Sequence, residues 1–516
     1  MRGRIKSMAD VSIFDEYKPL RNQLRQMSLD DIAYVFWAYA RRFQFGKSLP
    51  SDIEVPSGTT VDRVHIPEWS LEVLFREALI NCSGPSVDPR KWNQLAGLLN
   101  KLRDVDGAVA ERFINTENVL QELFRLAHRQ FPWQDPPESQ QLMRNYKVFS
   151  APSVAELVER EIGIPVRDLY VVGALLLGAY MKSPAINLPI NIQVAGLTAK
   201  NFENVARIMV RTPDEVRSLI AVERTFGDAF FYQTATLKRF PILSTKYRGK
   251  DAWLCPFPTL VFWRFTSGIY YDLVGVSDFG NRYGQAFQHY VGEVLRFGCA
   301  NSNIKVYAEE EYSVKKAERK DSADWIVDDG ESLLFVECKT KRVTAAAKTA
   351  LNDPAPFESD VGVLAEAVVQ NERAIADYRA GHYPHIRFEP QKKVYSLIVT
   401  QEPWFAFNDR IVAKLDEGVA AARAKRGVMV ATGGVPRAVI SSVGDLELLA
   451  CVFGKVSITD LFEPALSDRD YKGWDFRQYL RHRHDKVIRE NYRSPFEDEW
   501  NDLFKQYAGT NVRTPN

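Results

Sequence analysis

The chain has 516 residues, 46% of them apolar and 26% charged, which is too long for one ordinary core and fits a soluble globular protein of two or three domains. Its 67 Lys and Arg balance 66 Asp and Glu to a net charge of +1, so any polyanion must be met by local patches, not by an overall field. Five scattered cysteines without a CxxC pair exclude a disulfide framework and a zinc ribbon, and fit a reducing, cytoplasmic setting.

Residues 1–145 read as a helical domain. MSLDDIAYVFWAYARRF opens on Ser28 with Asp31 three residues on, and an apolar face follows. FPWQDPPESQ (131–140) is rich in Pro and polar residues and marks a boundary. Residues 146–275 form a mixed α/β middle region. Its longest apolar run, LYVVGALLLGAYM (169–181), would reach only about 20 Å as a helix, too short to span a bilayer. A buried helix is expected there, and no membrane partner. Thr212-Pro213-Asp214-Glu215 spells a helix start, with Thr as N-cap and Pro in the first turn.

Residues 276–450 alternate more clearly. GNRYGQAFQHYVGEVLRF has helical apolar spacing; IKVYAEEEYSV, DSADWIVDDG and ESLLFVECKT read as three strands. A helix at about 358–380, a strand at 392–400, a helix near 407–425 and a strand from 436 follow, a mixed α/β layer order. Residues 451–516 read as a C-terminal helical extension. There His482 and His484 lie in basic, helical surroundings, which predicts a solvated surface and not a zinc site.

LLFVECKTKR (333–342) carries the chemistry. Four apolar residues run into a carboxylate and three cations. Asp329-Gly330 signals a two-residue hairpin turn, which places Asp324 opposite Phe335. Alternation then puts Asp324, Glu337 and Lys339 on one face. Two carboxylates suit a hard divalent cation, and a lysine beside them can orient water and stabilise phosphate charge. Metal-assisted phosphodiester hydrolysis is the expected chemistry. Cys338 points to the opposite face and reads as a packed thiol.

Asp324, then Glu337-Cys338-Lys339 closing an apolar strand, with a helix on each side, resembles the PD-(D/E)XK nuclease superfamily, related to restriction endonucleases. The resemblance covers roughly residues 276–425. It implies a restriction-endonuclease-like α/β domain with a mixed central sheet, attached to an N-terminal helical domain and a mixed middle region. It further implies that Asp324 and Glu337 ligate Mg²⁺, with Mn²⁺ as a substitute. The Cys338 backbone carbonyl would complete the inner shell, Lys339 would serve the attacking water, and Gln370 would join from the downstream helix. Ala323 stands where the name-giving motif has Pro. The first helix reads Phe287-Gln288-His289-Tyr290 where such helices carry a Glu, so either Gln288 serves as a neutral substitute or Glu293 takes over as a metal ligand. Gln288, Lys341 and Arg342 are the expected nucleic-acid contacts. The function implied is a Mg²⁺-dependent endonuclease, with DNA favoured as partner, similar to bacterial phage-defence effectors. Two cuts on opposite strands would favour a homo-oligomer. The alternative is a non-catalytic nucleic-acid-binding or regulatory protein on a degenerate nuclease fold.

Overall fold

The protein is described by a computed structural model that covers residues 12–58, 61–190, 196–315, 318–405, 409–427, 437–471 and 473–505. It is a mixed α/β chain that divides into two compact units, Asp278–Glu497 and the rest. The dividing point falls next to the boundary expected at 275/276. The boundary expected at 145 instead lies inside the helix Ser139–Ser150. FPWQDPPESQ is not a linker either, because Trp133 is 1% exposed and packs on Phe257 and Trp263.

The first unit packs amphipathic helices, among them Leu29–Phe45, Glu68–Asn81 and Trp92–Phe113, with a four-stranded sheet. Thr212 caps its helix as expected: Thr212 Oγ1 accepts from Glu215 N, and Glu215 Oε2 accepts from Thr212 N. Ser28 stands at the N-cap of Leu29–Phe45, but its hydroxyl makes no capping bond. The apolar run at 169–181 lies in the helix Val166–Tyr180, largely buried. Among the described residues no single helix is long and apolar enough to cross a membrane.

Helix Glu68–Asn81 turns charge inward. Arg76 and Glu77 are fully buried, and Arg76 Nε donates to Glu77 Oε1 at 2.8 Å. Arg76 Nη1 also donates to the carbonyls of Phe230 and Gln233, while Glu77 Oε2 accepts from Tyr17 and Arg224. A buried pair is costly to assemble and more costly to break from one side. Replacing Arg76 with Met should therefore destabilise the protein by about 3–5 kcal/mol, read from the urea unfolding midpoint.

The second unit is labelled here in chain order. Helix α1 (Phe279–Cys299) leads into strand β1 (Lys305–Ala308) and a two-stranded ribbon, β2 (Glu311–Lys315) and β3 (Glu318–Asp321). Strands β4 (Trp325–Asp328) and β5 (Ser332–Lys339) form a hairpin. Then come α2 (Ala345–Thr349), α3 (Ala355–Arg379), β6 (Lys393–Thr400), α4 (Asp409–Arg426), β7 (Val439–Ser442), α5 (Val443–Ala450), α6 (Ile458–Ser467) and α7 (Phe476–Asn491). The single strand expected over IKVYAEEEYSV is broken after Ala308, and positions 407, 408 and 436 lie outside the described residues.

The main sheet has the order β7-β6-β5-β4-β1, parallel from β5 to β7 and antiparallel at β4 and β1. Burial on both faces explains why LLFV and SLIV are continuous apolar runs and not alternating ones. The stretch expected as a separate extension packs within this unit, since α7 lies against α5 and β7. His484 on α7 is accordingly buried, against expectation, while His482 is exposed beside Trp474.

Helix α1 is pinned to β4 by one close approach. Trp325 lies over Gly292, where a Cβ would come within 2.1 Å of the indole, and Trp325 Nε1 donates to the Gln288 carbonyl at 2.9 Å. Gly292 and Gln288 are one turn apart, on one face of the helix. Gly292→Ala should cost about 1–3 kcal/mol by overpacking, measured as a lower thermal midpoint.

Candidate functional site

The hairpin sets the geometry. Ile326 pairs with Phe335 and Trp325 with Val336, so partners sum to 661 and the turn centres on Gly330-Glu331, one residue beyond the position expected. Gly330 takes φ +96° at the first turn position, which glycine tolerates. The expected partner of Asp324, Phe335, is thus wrong by two residues. Two is the side-chain period, so the face is unchanged. Continuing the register by one pair sets Asp324 opposite Glu337.

That pair falls on the closer kind of antiparallel position. Asp329 N donates to Ser332 O, so hydrogen-bonded pairs recur at 327/334 and 325/336, and 324/337 is a non-hydrogen-bonded pair with side chains brought together. Asp324 Oδ2 accepts the Cys338 N–H at 2.6 Å. A residue's N–H and C=O share one edge of a strand, so the Cys338 carbonyl is directed to the same side.

Glu337 is 1% exposed and Asp324 9%. Burial raises both carboxyls well above the ordinary range, and for Glu337 the Asp324 charge raises it further. Lys339 Nζ lies 2.7 Å from Glu337 Oε1 and donates to Gln370 Oε1 at 3.2 Å. Burial works against the Lys339 charge, but Glu337 and then Asp324 outweigh it, and the ammonium is held above its usual value. Gln370 reaches in from the exposed face of α3, whose buried Asn371 donates to Phe335 O and Ser396 Oγ and so locks the helix to β5 and β6.

The residues expected to complete the set are placed differently. Gln288 Nε2 donates to Glu309 Oε2 at 2.9 Å, and the Glu309 charge acts on both Asp324 and Glu337. Glu309 follows the end of β1, and its backbone N–H donates to Asp324 O. The sequence showed it only as part of an acidic run; the signal was a carboxylate directly after a strand. Glu293 carries a carboxylate 3.9 Å from His289, one turn further along α1. Arg342 is 4% exposed and bound to Glu402 at 2.8 Å, so it is a buried ion pair and not a surface contact for phosphate. Lys341 is one-third exposed and bound to Asp360 at 2.9 Å. Cys338 is only half-buried by its surroundings in the strand, and burial with the two carboxylates pushes its thiol well up, which leaves no thiolate nucleophile.

Two buried carboxylates beside a carbonyl-bearing strand edge are hard oxygen donors, and their raised proton affinity reflects negative charge held close together. That chemistry fits a divalent cation, for which one or two carboxylates suffice alongside water and phosphate oxygens. Among the described residues no group of three or more His, Cys, Asp or Glu side chains is placed to hold a metal together, so Glu309 stands outside such a set.

Because both carboxyls are raised, the folded chain retains protons that the unfolded chain releases. The stability they confer is present below the unfolded values of about 4 and is lost as pH rises through the folded ones. In EDTA, Asp324→Asn should therefore raise the unfolding free energy at pH 8 by on the order of 1 kcal/mol and flatten its decline with pH, as measured by urea titration. No family model, characterised protein or solved structure matches this chain.

Proposed function

We propose that the second unit is a Mg²⁺-dependent phosphodiester hydrolase of the PD-(D/E)XK type, acting on nucleic acid in the cytoplasm, with DNA as the favoured substrate. The observation that carries the reading is the non-hydrogen-bonded pairing of Asp324 with Glu337, on the face from which Lys339 meets Gln370. The sheet order, parallel at β5-β6-β7 and antiparallel at the hairpin, supports a restriction-endonuclease-like domain.

Asp324, Glu337 and the Cys338 carbonyl would hold the cation, which when bound lowers the pKa of water and neutralises charge on phosphate. Lys339 is held protonated, so it acts as a cation and not as a general base. From beside Glu337 it can orient the attacking water and donate to a phosphate oxygen whose charge grows during displacement. Gln370 accepts from the same ammonium and limits its rotation. Gln288 restrains Glu309, which adds negative potential without joining the ligands. The buried apolar wall of β4 and β5 lowers the local dielectric, which strengthens these charge interactions.

A second reading is a nucleic-acid-binding protein that retains the fold without catalysis. It is favoured by a ligand set of two side-chain carboxylates with Gln at 288. Incubation with plasmid, linear DNA and RNA in Mg²⁺, Mn²⁺ or EDTA separates the two. The hydrolase reading expects metal-dependent cleavage that falls about 10²–10³-fold in Lys339→Ala. It also expects Mg²⁺ to raise the melting temperature of the wild type and not of Asp324→Asn. Cleavage in EDTA, or activity indifferent to Lys339, would sink it.

A further inference from the structure

A cavity of about 120 Å³ opens at the far end of the same sheet edge. It lies between the carboxyl ends of β6 and β7 and the start of α7, with Thr400, Trp404, Ser442, Tyr471, Trp474 and Asp475 among its walls. In open parallel sheets this is the edge where ligands bind. The register aligns Lys339 with Thr400 and Thr400 with Ser442. At about 4.8 Å per strand, the cavity begins about 10 Å from Lys339. That is about three steps of 3.4 Å along a nucleic-acid strand.

The lining has the character of a binding site for a flat ring. Trp404 is 4% exposed, and its indole Nε1–H has no hydrogen-bond acceptor. An unmet buried donor of this kind costs about 1–3 kcal/mol. Asp475 accepts the backbone N–H groups of Arg477 and Gln478, which leaves further lone pairs on its carboxylate. Tyr471 and Trp474 meet edge to face at 5.5 Å, and Trp474 remains 41% exposed. Neighbouring Asp445 is occupied, accepting from Arg477 Nε and Ser442 N.

Size limits the ring. A cavity of roughly 150 Å³ holds benzene, so about 120 Å³ fits one six-membered ring and not a purine. One lining donor, one lining acceptor and aromatic walls match the amide-and-amine edge of cytosine. We propose that this cavity is a base pocket for cytosine, with Trp404 Nε1–H donating to the ring's carbonyl or ring nitrogen and the Asp475 carboxylate accepting from its exocyclic amine. The choice of a nucleobase over other planar rings rests on the hydrolase reading. The base belongs either to a free nucleoside or to a nucleotide swung out of a strand, as enzymes that read single bases require.

The test is ¹⁹F NMR in EDTA, so that no strand is cut, with 5-fluoro-2′-deoxycytidine as the free nucleoside and as one residue of a single-stranded oligonucleotide. A shifted resonance in the first arm identifies a nucleoside site, and in the second alone a swung-out base. Either result supports the pocket. Trp404→Phe should weaken binding about tenfold. Asp475→Asn keeps an N-cap residue, hence the helix, but can present an amide donor in place of an acceptor. It should shift preference from 5-fluoro-2′-deoxycytidine towards 5-fluoro-2′-deoxyuridine, a readout that loss of folding would not give. No shift in either arm, a Trp404→Phe variant that binds equally, or toluene competing as well as cytidine would overturn the proposal. Lys339→Ala should bind the probe as the wild type does. Loss of cleavage and loss of base binding therefore separate the failure of one reading from the failure of the other.

Discussion

Everything at the candidate site depends on the register of one β-hairpin. Antiparallel strands alternate between two kinds of facing pair, and only one kind draws side chains close. Asp324 and Glu337 fall on that kind, at the point where β4 ends and β5 continues. The strand therefore delivers two carboxylates into a space from which water is largely excluded. Such an arrangement is unfavourable by itself, and the surrounding groups temper it: the Cys338 N–H at Asp324, the Lys339 ammonium at Glu337, and Gln370 behind the ammonium.

The rest of the second unit holds that hairpin in place. Trp325, next to Asp324, is fixed against Gly292 and the Gln288 carbonyl, which ties α1 to the end of β4. On the opposite side Asn371 inserts between β5 and β6 and fixes α3, and so places Gln370. A helix that crosses between parallel strands thus supplies a functional side chain one residue from its structural anchor. Coupling of this kind makes the site rigid, and it also means that repacking α1 or α3 would be felt by the carboxylates.

Much of this was legible in LLFVECKTKR and its neighbours. Apolar continuity marked a buried parallel strand, and period-two alternation placed Asp324, Glu337 and Lys339 on one face despite a turn misplaced by one residue. The error was harmless because it moved the pairing by two. Gln370 was legible from helical spacing and a family pattern. Arg342 was misread, since a cation beside a motif looks like a phosphate contact until Glu402, sixty residues on, is seen to neutralise it. Glu309 was missed for the converse reason: its role depends on Gln288, which comes from another element.

The sequence by itself determined the local quantities: which segments are strands or helices, and which face each side chain takes. Those follow from short-range sterics and from the periodicity of apolar residues. Tertiary structure alone decided the partners of charge. It joined residues 131–140 to a core through Trp133, turned Arg342 and His484 inward, brought Glu309 towards the carboxylate pair, and closed Trp404 over a cavity with Asp475. Electrostatic roles depend on distance and desolvation in space, and neither is written in the spacing of a single segment.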